Sequence, residues 1–175
     1  EADIQTETFD RVTIMKSLLL PIFLFFSALP LAAQGTNVAF GTIRQDTSLP
    51  VEVTADNLAV DQATGTAVFT DNVIIGQGEM RLSAARVLVV YRDKNTGIAR
   101  LEATGGVTLV SGQDAAESER ADYDIDTGEI VMSGNVLLSQ GQNAISSNTM
   151  TVNLSEGTAR MSGRVKTILQ PGSNN

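Results

Sequence analysis

The chain has 175 residues, 42% of them apolar and 5% aromatic, a formal net charge of −8, and no His, Cys or Trp. These figures fit one main domain with a sizeable core, and they exclude wholesale disorder, disulfides and thiolate chemistry. They remove the commonest general base and transition-metal ligand, and they argue against nucleic acid as a partner. Carboxylates remain, so the composition weighs against an enzyme without excluding one.

In chain order, residues 1–14 hold four acids and one Arg without clear periodicity, and Met15 reads as the natural start. "MKSLLLPIFLFFSALPLAAQG", residues 15–35, has the anatomy of a secretory signal peptide. Lys16 is the positive n-region, Leu18 to Leu29 the apolar core, and small residues allow cleavage after Ala33 or Gly35. An uncleaved anchor is the alternative, but the apolar core is short for a span of about 20 residues and contains Pro21. Either way the bulk of the chain is expected to be exported. Residues 36–175 carry 10 Lys/Arg against 16 Asp/Glu, a net charge of −6.

Residues 36–50 read as a loose lead-in segment ending at Pro50, and residues 172–175 as a tail. From Val51 to Pro171 the chain repeats itself. Gly65, Gly97, Gly128 and Gly157 head four units at spacings of 32, 31 and 29. Each is followed by a column (Ala67, Ala99, Ile130, Ala159), then another (Phe69, Leu101, Met132, Met161). A polar pair follows: Asp71-Asn72, Gly105-Gly106, Gly134-Asn135 or Gly163-Arg164. These pairs tolerate the positive φ of tight hairpin turns and are expected to be turns. Beyond them stand Val73, Val107, Val136 and Val165, then Ile75, Leu109, Leu138 and Thr167. The second unit has two extra residues before its pair. Upstream of each Gly lies a further strand: "DNLAV", "ARVLVVY", "ADYDI" and "MTVNL".

Period-two alternation on both sides of each pair means strands with one buried face. No helical stripe follows the leader. The expectation is an all-β chain of about twelve to sixteen short strands in antiparallel hairpins. A jellyroll-like pair of sheets, a solenoid and a closed barrel all fit that pattern.

The stretches "VTADNLAVDQATGTAVFTDNVIIGQG", "AARVLVV", "SGNVLLSQGQNAISSNTMTV" and "GRVKTILQP" resemble the LptA/OstA family of periplasmic lipopolysaccharide-transport proteins. The resemblance covers about Val51 to Pro171. It implies an open, twisted β-jellyroll with an apolar interior. It also implies a bridge carrying lipopolysaccharide from an LptC-like inner-membrane subunit to an LptD-like outer-membrane translocon. It implies no cofactor. An LptC-type anchored subunit and a structural β-repeat polymer that binds no lipid remain as alternatives.

Under that resemblance the apolar columns are candidate lining for acyl chains: Phe69, Val73, Ile75, Leu88, Val90, Leu101, Val107, Leu109, Met132, Val136, Leu138 and Met161. Each buried methylene contributes about 0.8 kcal/mol, so a multi-chain lipid needs a long apolar track. Taken singly, each of these residues is better read as ordinary core. The end strands, with Val51 and Val53 at one end and Val165, Thr167 and Leu169 at the other, are candidates for edge pairing with partners and for head-to-tail self-association. "DYDIDTGE", Asp122 to Glu129, imitates a calcium loop, but Thr127 stands where its Gly belongs, and a solvated strand face explains the alternation better. Arg81, Arg86, Arg92, Lys94 and Arg100, with Arg160, Arg164 and Lys166, read as surface charge, and contact with lipid phosphates is the alternative. Gly76-Gln77-Gly78 reads as a strand stop.

Overall fold

The computed structural model describes residues 36–40, 46–92 and 96–169, all within one compact unit spanning Ala32–Asn175. The expected leader, residues 1–14, Lys94 and Pro171 lie outside the described residues. Eleven strands are found among the described residues: β1 Thr36–Ala39, β2 Glu52–Thr54, β3 Asn57–Asp61, β4 Thr66–Gln77, β5 Met80–Tyr91, β6 Ile98–Ser111, β7 Asp114–Asp124, β8 Glu129–Gln140, β9 Asn143–Asn153, β10 Thr158–Ser162 and β11 Lys166–Ile168. They form one antiparallel sheet in the order β1-β10-β9-β8-β7-β6-β5-β4-β2, with β3 also beside β4 and β11 also beside β9. The two ends of this path do not pair with each other, so the sheet is open.

The expectation of many short strands is corrected here. The six central strands run 11 to 14 residues each. The reason is that the polar pairs are not hairpin turns but bulges: three lie inside continuous strands, and the fourth lies between β10 and β11. Asp71-Asn72 (φ 66° and 49°) sits opposite the single residue Ala85. Gly105-Gly106 sits opposite Glu119, and Gly134-Asn135 opposite Asn148. Gly163-Arg164 separates β10 from β11, and the Asn148 N–H donates to the Gly163 carbonyl at 2.8 Å. Two left-handed residues facing one neighbour bend a strand and sharpen its twist. Because the bulges fall level on alternate strands, they make one crease across the whole sheet. The crease divides the sheet into two layers. Layer A carries the chain reversals near Gly65, Gly97, Gly128 and Gly157; layer B carries those at Gly78, Gly112 and Gly141.

Amides stitch the crease. Asn72 Nδ2 donates to Asp56 Oδ2 at 2.7 Å, Asn57 Nδ2 to Asp71 Oδ2 at 3.0 Å, and Asn135 Nδ2 to Glu119 Oε1 at 2.6 Å. Asp56 N–H donates to the Asp71 carbonyl at 3.0 Å. β2 and β3 are thus two halves of one creased edge strand; at the other end β10 and β11 are likewise two halves of one strand, of which only β11 is an edge.

Three further expectations change. The two extra residues of the second unit lie at the loop end of β6, where the β5–β6 register slips between Val90 and Tyr91. Leu101 therefore stands level with Ala67, and Ala103 takes the place expected of Leu101 beside Phe69. The described residues of the lead-in are not loose throughout: they include β1, which pairs with β10 (Val38 opposite Ala159), and Phe40, only 2% exposed. The C-terminal end of the sheet is consequently shared, with β1 outermost in layer A and β11 in layer B.

The crease sets a stability test. A Cβ on Gly105 would fall 2.8 Å from the Ala85 Cβ, whereas one on Gly106 meets nothing within 4 Å. Both residues have positive φ (88° and 82°). Gly106→Ala should lose roughly 1–2 kcal/mol, the left-handed cost alone. Gly105→Ala should lose about 1 kcal/mol more, because the overlap must be relieved as well. Urea unfolding midpoints check this, and equal losses would contradict the crease geometry.

Candidate functional site: an apolar interior with two open lips

Residues directly opposite in an antiparallel ladder share a face, so the registers show what faces the space between the layers. In layer A one row runs Val60, Ala67, Val89, Leu101, Tyr123, Ile130, Val152, Ala159, Val38. The next runs Leu58, Phe69, Val87, Ala103, Ala121, Met132, Met150, Met161. In layer B a row runs Val53, Ile75, Leu82, Leu109, Ala116, Leu138, Ile145, Thr167. Neighbouring strands lie about 4.8 Å apart, so a row crossing nine strands spans roughly 38 Å.

Of the expected lining residues, Val73, Ile75, Leu101, Val107, Leu109, Met132, Val136, Leu138 and Met161 are all buried in this interior. Phe69 is half-buried and packs against the same cluster. Leu88 and Val90 are corrections: they alternate with Val87 (0% exposed) and Val89 (1%) and stand half-buried on the outer face. "RVLVVY" is apolar on both faces, so alternation could not fix its parity. The interior also includes Met80, Leu82, Tyr123, Met150 and Val152, which the repeat columns did not include.

The ends of the rows differ from the middle. Leu58 and Val60 face the interior from β3 yet are 56% and 63% exposed. At the opposite end and in the other layer, Val165 and Leu169 flank Thr167, and all three are exposed. The apolar interior therefore opens at two diagonal lips. At the first end Val51 and Val53 are half-buried against the core.

One buried polar cluster joins the layers. Gln77, taken from the sequence as part of a strand stop, is 2% exposed. Its Nε2 donates to the Thr47 carbonyl at 3.0 Å and the Leu49 carbonyl at 2.9 Å. Its Oε1 accepts from the Tyr123 hydroxyl, which reaches it from layer A. Burial pushes the Tyr123 phenol up to about 12, partly opposed by that hydrogen bond. "GQG" alone gave no signal of this role, since an amide in a turn is ordinarily solvated.

The outer face is charged. Glu102 accepts from Arg100 (2.9 Å) and Arg120 (3.0 Å), and Arg120 also reaches Asp122. The hydrogen bond from Arg100 holds the Glu102 carboxyl below its usual range. In the calcium-like stretch each aspartate has its own partner: Asp122 has Arg120, Asp124 accepts from Thr127, and Asp126 pairs with Arg92.

The Tyr123–Gln77 pair gives a pH prediction. A phenol pKa raised in the folded state stabilises the fold below the unfolded value of about 10, and that contribution is lost as pH rises toward 12. Stability should fall across that window. Tyr123→Phe should start lower by about 1–3 kcal/mol, because Gln77 Oε1 loses its donor, and should lose less over the same window. Urea melts at about pH 9, 10, 11 and 12, spanning the rise from the ordinary phenol value, measure both. Parallel slopes for the two proteins would contradict the assignment.

Comparison with known proteins agrees with this architecture. The family model described as LptA/(LptD N-terminal domain) LPS transport protein matches residues 52–158, more than half of the chain. An uncharacterized protein of Rhizobium meliloti (strain 1021) is 29% identical over 107 residues, covering 57% of this chain and 58% of that protein. The match thus spans under two thirds of that relative's length. The crystal structure of LptH from Pseudomonas aeruginosa, described as the LptA homologous periplasmic component of a conserved lipopolysaccharide transport device, superposes with a TM-score of 0.64. That superposition covers 73% of this chain and 99% of LptH at 16% identity, a likeness of fold. An all-β open jellyroll and a family match from the first edge strand into β10 lead to one conclusion: the chain belongs to the LptA/LptD N-terminal-domain family of lipopolysaccharide transport proteins.

Proposed function

We propose that this chain is a periplasmic carrier that holds the acyl chains of lipopolysaccharide between its two layers and passes them along the rows. The observation that carries this reading is the pair of diagonal lips, where Leu58 and Val60 at one end and Val165 and Leu169 at the other leave interior-facing apolar residues in solvent. A closed core would cover both ends. An interior that must hand lipid to a neighbour needs them open. The interior methionines suit irregular chains because Met adapts its shape. The role is binding and transfer, with no catalytic step.

The same lips support a bridge. β2 and β3 at one end and β11 at the other have no strand on their outer side among the described residues. Such edges are templates for strand addition. Glu52, Asp56 and Asp61 accompany the first edge, and Arg164 and Lys166 the second, so a head-to-tail contact brings opposite charges together. Val51 and Val53 of one copy would then meet Val165, Thr167 and Leu169 of the next, and the rows would join. LptC-like and LptD-like partners of the same fold would dock on the two ends in the same manner. A contact of this kind does not close, so it builds a bridge of variable length.

A photo-crosslinking residue at Leu58 or Leu101 should capture lipopolysaccharide, and one at Asp126 on the outer surface should not. Equal capture at all three positions would contradict the interior assignment. Removing residues 166–175, or introducing Thr167→Pro, should weaken self-association about tenfold by light scattering while the protein stays folded. A folded truncation that associates like the intact chain would rule out edge pairing through β11.

A further inference from the structure

β1 is one of four short strands with a single ladder neighbour, the others being β2, β3 and β11, and among them it alone is followed by a fully buried aromatic. It is four residues long, its one ladder neighbour is β10, and it is followed directly by Phe40. Phe40 is 2% exposed and belongs to the same buried cluster as Ile130 and Met132. Val38, opposite Ala159, is the last member of the layer-A row. β1 and Phe40 thus close the C-terminal end of layer A, while the layer-B lip at the same end is open. Beyond the four-residue ladder to β10, Phe40 N–H donates to the Gly157 carbonyl at 3.1 Å, and Gln140 Nε2 donates to the Ala39 carbonyl at 2.6 Å.

We propose that β1 and Phe40 are a displaceable stopper, occupying from within the chain a position that an acyl chain takes when lipid is loaded. This rests on the reading of the interior as a lipid carrier. The columns on β5 to β8 cannot yield that space, because each of those strands is held by long neighbours on both sides. β1 can, because a short strand with one neighbour belongs to the least stable part of a sheet. Phe40 offers only apolar surface to the cluster, so methylenes can replace it without stranding a polar group. The backbone donors and acceptors released on departure reach solvent at the sheet end, where water satisfies them.

The chain contains no Trp and no Cys, which makes two clean tests available. Phe40→Trp places a single indole at the stopper. In the lipid-free protein its emission should be blue-shifted and poorly quenched by acrylamide. With saturating lipopolysaccharide the quenching constant should rise severalfold, while co-elution on gel filtration reports binding independently. If lipopolysaccharide co-elutes and the indole stays protected, the stopper is wrong and the carrier reading stands. If none co-elutes, both fall. The double substitution Val38→Cys with Ala159→Cys tests the same point without enlarging the core. Directly opposed residues lie about 4.5–5.5 Å apart, within disulfide reach. The oxidised protein should retain about tenfold less lipopolysaccharide than the same protein reduced. Equal retention in both states would overturn the stopper.

Discussion

Two consecutive left-handed residues opposite a single neighbour force a strand to bend, and here four strands bend at one level. Everything else follows from that crease. Without it the chain would form a flat sheet with one greasy face in water. With it, the face folds onto itself, and side chains from both halves of every long strand meet in the middle. The close approaches of Gly105 to Ala85, Gly134 to Glu119 and Gly163 to Asn148 show why three of the bends use glycine: a Cβ there would meet its neighbour at under 3 Å. At Asp71-Asn72 the side chains are instead used, donating and accepting across the bend.

A creased open sheet has a property that a closed barrel lacks. Its interior rows run laterally from strand to strand, so they end at the sheet's edges rather than at a barrel wall. An apolar interior and edges available for pairing are then one feature, because whatever adds to the edge also continues the rows. The diagonal placement of the exposed lips follows from which half of each terminal strand is covered. β1 and Phe40 cover layer A at one end, and Val51 and Val53 pack in against the core in layer B at the other. The charges stay outside, where Arg100, Glu102, Arg120 and Asp122 brace adjacent strands without entering the interior.

Much of this was legible in the sequence. Alternation identified strands, and the Gly-headed repeat identified a stacked β architecture. Nine of the proposed interior residues are buried. What could not be read has specific causes. A left-handed pair looks the same in sequence whether it reverses the chain or bends it, so Gly134-Asn135 reads as a turn. Parity failed on β5 because Leu88 and Val90 make its outer face as apolar as its inner one. Leu58 and Val60 passed as an ordinary strand, since nothing local says that an apolar pair lies at an uncovered end. Phe40 and Gln77 owe their places to contacts far along the chain, and such contacts leave no short-range pattern.

The claim on which the account rests is that lipid enters the space between the layers. Met80, Met132, Met150 and Met161 all face that space and are 0% exposed. Their methyl groups, labelled with carbon-13, report on the interior alone. Adding lipopolysaccharide to the folded protein and recording methionine methyl spectra is the most direct measurement. The account predicts that the Met132, Met150 and Met161 resonances shift together as lipid binds. Methionine resonances that stay in place while lipopolysaccharide is demonstrably bound would put the lipid on the outer surface and contradict it.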